Sequence, residues 1–179
     1  MNIRSFRGLL AATVLVAAVA PAASAQMYEP SRFGVKAGAG FPMGDLDDVA
    51  DMGWHAGLHV NLPIGTGAVA VRVDGDYGRY DGEGLIDNVT LIGGMANLVL
   101  NAGSRSGWTP YAFGGVGMYN TKIEAGPLES DDTEFAYNLG VGFDFGMGGA
   151  SLFVEGRWLS IQTEGDATNT IPVVLGLRF

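Results

Sequence analysis

Residues 171–179 alternate more strictly than any other part of the chain. One parity is wholly apolar and ends on an aromatic ring: Ile171, Val173, Leu175, Leu177 and Phe179. Because successive side chains of a β-strand point to opposite faces, the segment predicts a strand with one apolar face. A tilted strand of about nine residues can cross the hydrocarbon core of a bilayer. Such a strand requires a closed barrel, since lipid cannot satisfy free backbone groups.

The first 25 residues have the features of a cleaved signal peptide. Arg4 and Arg7 form a basic start, residues 9–20 are apolar, and Ala23-Ser24-Ala25 forms a small-residue cleavage site. The apolar run is too short to span a membrane comfortably as a helix. We therefore expect removal of residues 1–25 from an exported protein, and we expect residues 26–179 to form one domain.

Composition and charge narrow the class of protein further. The chain has no cysteine, which excludes a small domain held by disulfides. Its formal net charge is −9, and loss of the leader removes two arginines, so nucleic acid is not expected as a partner. No run of 18 apolar residues follows the leader, which excludes a helical membrane protein.

The rest of the chain consists of alternating segments that predict eight strands. They cover residues 32–41, 53–62, 68–79, 88–100, 108–120, 134–145, 150–162 and 170–179. The connections after the odd-numbered strands are longer than those after the even-numbered ones, an asymmetry typical of outer-membrane barrels. The sequence therefore predicts an all-β fold: a closed, eight-stranded, antiparallel transmembrane β-barrel with an up-and-down meander topology.

The predicted longer connections, which would face outward, are strongly acidic. Most of the 19 acidic residues lie in them or at their edges: Asp45, Asp47, Asp48, Asp51, Asp81, Glu83, Asp87, Glu124, Glu129, Asp131, Asp132, Glu134, Glu164 and Asp166. Four carboxylates of the first connection (Asp45, Asp47, Asp48 and Asp51) are candidates for Ca²⁺ binding through hard oxygen ligands. They lack the spacing and central glycine of an EF-hand, so a solvated acidic loop is the favoured interpretation.

Charged residues inside the strands predict a charged lumen. On the third strand, Val71 and Val73 alternate with Arg72, Asp74 and Asp76. The predicted lumen network has four basic and four acidic members: Lys36, Arg72, Asp74, Asp76, Asp144, Glu155, Arg157 and Arg178. Side chains fill an eight-stranded barrel, and buried charges must pair. We expect a paired network that plugs the lumen; the alternative is an ion path or a catalytic group.

The aromatic residues predict two girdles at the membrane interfaces. The outer girdle would contain Trp54, Tyr77, Tyr80, Tyr119, Phe135, Tyr137 and Trp158, and the periplasmic one Phe33, Trp108, Phe143, Phe145 and Phe179.

Three strands do not show a clean alternation of apolar and polar residues. The parity is ambiguous on strands four and five and mixed on strand seven, where Phe153, Leu159 and Ile161 share the parity of the charged residues. Pro110 and Pro172 each remove a ladder donor and are expected near strand starts.

Several short segments resemble the small outer-membrane β-barrel superfamily of OmpX/Ail-like and OmpA-type barrels. They are the leader, residues 110–117, 138–142 and 153–158, and the final Leu177-Arg178-Phe179. The resemblance implies residence in the outer membrane of a Gram-negative cell, in contact with membrane lipid and lipopolysaccharide. It also implies that Phe179 and its strand form the signal read by the outer-membrane assembly machinery.

The only histidines, His55 and His59, fall on the predicted inward face of strand two. A lipid-acting triad would need its histidine at the lipid surface beside a nucleophile, so we expect hydrogen bonding in the lumen and no catalysis. We predict no catalytic residue and no cofactor. The leading function is structural or surface interaction, either envelope integrity or adhesion through the acidic loops to an extracellular ligand. A small low-conductance porin is the alternative, an outer-membrane lipid hydrolase comes third, and a soluble lipocalin-like carrier is disfavoured.

Overall fold

The structure, a computed structural model, describes residues 32–47, 49–65, 67–84, 86–103, 107–126, 128–163 and 167–179. The predicted signal peptide lies outside these residues and stays a prediction. The described strands are β1 (Arg32–Met43), β2 (Gly53–Ile64), β3 (Val69–Asp81), β4 (Asn88–Asn101), β5 (Trp108–Ala125), β6 (Leu128–Gly146), β7 (Ser151–Gln162) and β8 (Ala167–Arg178). A short 3-10 helix, Gly44–Leu46, follows β1.

Each strand pairs antiparallel with the next, and β1 pairs with β8, which closes the barrel. The β1–β8 seam runs in register from Gly34 opposite Arg178 to Met43 opposite Asn169. Two further backbone hydrogen bonds extend it, from Phe33 N–H to the Phe179 carbonyl (3.2 Å) and from Phe179 N–H to the Phe33 carbonyl (2.8 Å). The prediction of a closed, eight-stranded up-and-down barrel is confirmed.

The two ends of the barrel are named here by the strand ends that they carry. The periplasmic end carries the start of β1, the end of β8 and the turns after β2, β4 and β6, and the opposite end is the outer end. The only helix among the described residues is a single 3-10 turn, so the described part of the chain contains no helix able to cross a membrane.

Large apolar side chains cover the outside of the barrel. Leu139 on β6 and Leu175 on β8 are 64% and 60% exposed, although both lie in mid-strand. Trp54 and Tyr77 stack on this surface toward the outer end, with ring centroids 4.9 Å apart. Exposed apolar area of this extent suits a lipid environment rather than water.

Two members of the predicted outer girdle do not face lipid. Tyr80 and Tyr119 are fully buried and point into the lumen. Tyr80 shares the parity of the charged residues on β3, and Tyr119 shares that of the buried Tyr111 and Phe113 on β5. The girdle prediction for Tyr80 and Tyr119 is therefore wrong, because strand alternation fixes the face whatever the residue type.

The predicted loop over residues 121–133 is a β-hairpin. Strand β5 continues to Ala125, β6 begins at Leu128, and Gly126 turns the chain with φ +56°. Pairing of β6 with β7 begins only at Ala136 opposite Ile161. Residues 118–135, named here the outer hairpin, therefore extend beyond β7 and leave one edge of β6 without a neighbouring strand among the described residues.

The first connection is only partly the solvated loop that was predicted. Leu46 and Ala50 are buried, in a cluster with Tyr80, Leu91 and other apolar lumen residues. A bridge between Ala50 and Gly82 holds the segment to the connection after β3. Burial of these apolar groups makes the described part of residues 44–52 a cap over the outer end of the lumen.

Strand β8 begins at Ala167, earlier than predicted, which places Pro172 inside a strand. The proline pairs with Gly40 on β1. On the other side, the β7–β8 ladder has no pair between Gly156 opposite Val173 and Leu159 opposite Thr170. The strand-start prediction for Pro172 is wrong; an interrupted ladder accommodates the missing donor instead.

Candidate functional site

The interior of the barrel is organised around carboxylates that β3 presents two residues apart. Asp74 accepts from Lys36 Nζ at 2.6 Å and from Arg72 Nε at 2.9 Å. Its second oxygen also accepts from Asn97 Nδ2 at 2.8 Å. Asp74 is 2% exposed, and each contact of its carboxylate replaces a hydrogen bond to water that burial removes.

Asp76 is a second centre, one step nearer the outer end. Arg157 Nη2 lies 2.9 Å from one carboxylate oxygen and Lys36 Nζ lies 3.0 Å from the other. The Tyr119 hydroxyl donates to Asp76 at 3.0 Å, and His55 Nε2 lies 3.3 Å away. A single carboxylate thus holds side chains from four other strands.

Glu155 on β7 is the third centre, nearer the periplasmic end. Arg72 Nη1 donates to it at 2.5 Å and the Tyr111 hydroxyl at 2.7 Å, and Arg178 Nη2 lies 3.9 Å away. The guanidinium of Arg72 also stacks over the Phe113 ring, 4.1 Å from its centroid. Arginine suits this position because its planar group donates along its edge and packs on its face.

Arg178 closes the network at the periplasmic end. It pairs with Asp144, which also accepts from Ser151 Oγ at 3.1 Å. Its Nε donates to His59 Nε2 at 3.2 Å, and its guanidinium lies 4.8 Å from the Phe153 ring centroid. A cavity of about 530 Å³ opens below this layer and ends at Arg178 and Asp144.

All eight residues of the predicted lumen network face the interior and form one chain of contacts. These long charged side chains fit into the lumen only because small residues lie beside them. A Cβ on Gly57 would lie 2.5 Å from the Asp76 carboxylate and 2.8 Å from Lys36 Cε. The predicted network left out its neutral partners Tyr111 and Tyr119, which donate to Glu155 and Asp76, because the sequence leaves the parity of strand five ambiguous.

An apolar layer lies between the charged network and the outer end. Tyr80, Leu91, Met95, Leu159 and Ile161 are each at most 2% exposed and pack together under residues 44–52. The lumen is therefore closed by two kinds of contact, with apolar packing at its outer end and charge pairing at mid-height.

His55 and His59 lie inside the barrel and away from the lipid surface. His55 contacts Asp76, and its Nε2 lies 3.0 Å from Arg157 Nη2. His59 is fully buried and packs beside Gly34, where any side chain would collide with the imidazole ring. Both rings therefore have contacts that suit hydrogen bonding within the lumen.

The four candidate Ca²⁺ ligands are only partly described. Asp47 and Asp51 are exposed, Asp48 lies outside the described residues, and the side chain of Asp45 does too. Among the side chains that the structure describes, no group of three or more histidine, aspartate or glutamate residues is placed to hold a metal ion.

Phe179, the predicted assembly signal, is 58% exposed on the outside of the barrel. Its backbone is held to Phe33 in both directions, as described for the seam. The side chain is thus presented at the periplasmic end while the main chain closes the barrel.

A cleft lies at the outer end, between the outer hairpin and the end of β7. It has a volume of about 490 Å³, and its walls include Thr121, Ile123, Ser130, Asp132, Glu134 and Gln162. Thr121 faces Asp132 in register and Ile123 faces Ser130, so these side chains share the inner face of the hairpin. The sequence does not predict this cleft, because residues 121–133 were expected to form a loop and not paired strands.

Comparison with known proteins places this geometry among outer-membrane barrels. A family described as outer membrane protein β-barrel domain matches residues 9–179. Similar solved structures include Neisserial surface protein A (16% identity, TM-score 0.66, 84% of this chain and 98% of that one). Ail, the attachment invasion locus protein of Yersinia pestis, has 16% identity and a TM-score of 0.54 over 83% and 97% of the two chains. The N-terminal barrel of Pseudomonas aeruginosa OprF has 13% identity and a TM-score of 0.53 over 83% and 97%. No curated protein matches the sequence.

Proposed function

Because the chain belongs to the outer membrane protein β-barrel domain family, we propose that it acts from the outer membrane through its outer surface. The proposed role is binding of an extracellular ligand, or stabilisation of the envelope, by the outer hairpin and the acidic connections around it. Membrane lipid and lipopolysaccharide are its proposed surroundings, and the assembly machinery is the proposed reader of Phe179.

The closed lumen is the observation that carries this proposal. A porin needs a water-filled path, whereas the interior here holds a paired charge network beneath an apolar layer. Opening a path would expose apolar groups and separate buried ion pairs, and both changes cost free energy. With the interior closed in this way, the exposed end of the barrel is the part of the molecule that can contact a ligand.

The outer hairpin supports a binding role at the outer end. Residues 128–135 of β6 pair with β5 on one side, but the other edge of this part of β6 has no described strand beside it. Unpaired edges and projecting loops are common places for protein recognition. One similar structure bears the name attachment invasion locus protein, which describes that protein and belongs to the class of role proposed here.

Trimming the hairpin tests the binding role. Asn120 and Thr133 face each other in register, so joining them through Asn-Gly replaces the tip by a two-residue turn. We expect cells that carry the trimmed protein to lose attachment to host matrix, while a variant altered in the periplasmic turn 147–150 keeps it. Equal attachment by both variants would refute a role for the hairpin. The faster migration of unboiled protein on SDS gels serves as the check of folding.

Conductance separates the proposed role from the alternative of a small pore. The purified full-length barrel, reconstituted in planar bilayers, is expected to give no discrete conductance steps. Steps that persist in the hairpin-trimmed protein would favour the pore and contradict a closed lumen.

A further inference from the structure

We propose that the cleft beside the outer hairpin binds the ammonium or guanidinium group of a lysine or arginine side chain on an extracellular protein. This inference rests on the proposed surface-binding function and names the chemistry of its partner.

The walls of the cleft match a basic side chain in charge. Asp132 and Glu134 lie two residues apart on β6 and both line the cleft. The described residues that line it include no lysine or arginine. The nearby Lys122 pairs with Glu124 at 2.9 Å on the opposite face of the hairpin. The cleft is therefore an acidic concavity, and its field favours a cation.

A buried acceptor inside the cleft gives an independent indication of a ligand. Thr121 is 7% exposed, and its Oγ1 has no hydrogen-bond partner among the described residues. Buried hydroxyl groups are normally satisfied, because an unmade hydrogen bond costs free energy. A donor group that enters between Thr121 and Asp132, which face each other in register, would satisfy both residues.

The shape of the cleft suits a long side chain with a charged tip. Ile123 supplies an apolar wall next to the acidic residues, and the aliphatic stems of lysine and arginine pack on such surfaces. The volume of about 490 Å³ lies within the range of about 300–1,000 Å³ usual for ligand sites.

A peptide titration tests the inference on the full-length barrel in lipid nanodiscs. The probe is acetyl-Gly-Arg-Gly-amide, and its control has citrulline, the neutral isostere, in place of arginine. Binding is followed by NMR shifts of the hairpin amides. We expect the arginine peptide to bind about fivefold more tightly or better, and its shifts to centre on Thr121 and Ile123. Equal binding of the two peptides would overturn the proposal.

Variants locate the site. Asp132→Asn should weaken binding of the arginine peptide about fivefold, and Thr121→Val about threefold. Asp131→Asn is the matched control, because it removes the same charge from the opposite face of the same strand. Equal weakening by Asp131→Asn and Asp132→Asn would mean that only the general field of the surface attracts the peptide, which also overturns the proposal.

The two proposals fail in different ways. If trimming the hairpin abolishes attachment but the arginine peptide does not bind, the surface function stands and the basic-side-chain site is wrong. If the peptide binds as expected but trimmed cells attach normally, the site stands and attachment through the hairpin is wrong.

Discussion

Replacing Asp76 by asparagine tests whether charge pairing stabilises the closed lumen. Asparagine keeps nearly the same size and still accepts a hydrogen bond, but it removes the negative charge. Lys36 retains Asp74 at 2.6 Å. For Arg157, Asp76 is the only carboxylate at ion-pair distance among the described residues. The Arg157 side chain, 4% exposed, would then remain buried without a counter-charge.

The expected loss is about 3–5 kcal/mol in the free energy of unfolding. Removing one partner of a buried ion pair typically costs this much, since the remaining charge stays desolvated. The hydrogen bond that Arg157 donates to the Tyr119 hydroxyl at 3.3 Å and its contact with His55 Nε2 at 3.0 Å compensate only in part.

A double variant isolates the charge from the change of shape. In Asp76→Asn with Arg157→Met, the unpaired charge is gone, so the double variant should be more stable than Asp76→Asn alone. Asp131→Asn on the exposed hairpin is the control for charge removal and should change stability by less than about 0.5 kcal/mol.

Urea unfolding of the barrel in lipid vesicles measures these differences. Trp54 and Trp158 lie on the outer surface, so tryptophan emission reports departure from lipid. Linear extrapolation of the transitions then gives the free energies. The single variant Arg157→Met is measured in the same way. The reasoning is refuted if Asp76→Asn is as stable as the wild type, or if the double variant loses as much free energy of unfolding as the two single variants together.

Three further predictions concern the glycines, the histidines and the last residue. Gly57→Ala should cost about 1–3 kcal/mol, because its Cβ meets a lumen carboxylate and a backbone oxygen at 2.5 and 2.7 Å. Gly75→Ala, whose Cβ meets nothing closer than 3.8 Å, should be nearly neutral in the same urea assay. Replacing His55 and His59 by alanine should leave the mass spectrum of lipid A unchanged; an altered acyl pattern would indicate enzymatic activity. Phe179→Ala should slow assembly in cells, seen as less heat-modifiable barrel, but barely alter folding in detergent; normal assembly would contradict its role as a signal.

Strand alternation was sufficient to predict the barrel and the charged residues of its lumen. A period of two places Arg72, Asp74 and Asp76 on one face whatever the tertiary structure, and the fold then makes that face the interior. Strand alternation does not predict which of these charged side chains form ion pairs with one another. Arg72 and Glu155 lie 83 residues apart, and their contact depends on barrel closure and register.

The errors in prediction have physical causes. Tyr119 was assigned by its residue type and its level along the strand, because the sequence leaves the parity of strand five ambiguous; in the structure it shares the inward face of Tyr111 and Phe113. The outer hairpin was missed because acidic residues lie on both faces of its strands, so the alternation that marks the other strands is absent. The cap at Leu46 and Ala50 lies among acidic residues, so its short apolar signal was masked by its neighbours.

The seam between β1 and β8 also constrains the order in which the molecule folds. It joins strands from opposite ends of the barrel domain, so its contacts have the highest sequence separation in the fold. Closing so long a loop costs chain entropy, and only the completed β1–β8 ladder offsets that cost. We therefore expect closure of the barrel to be a slow, late step of folding. Until β8 docks, β1 and β7 each expose an open edge, and Pro172 leaves one ladder of β8 interrupted even afterwards. Among the strand amides, we therefore expect the fastest exchange beside Pro172 at the β7–β8 junction, where the ladder is interrupted.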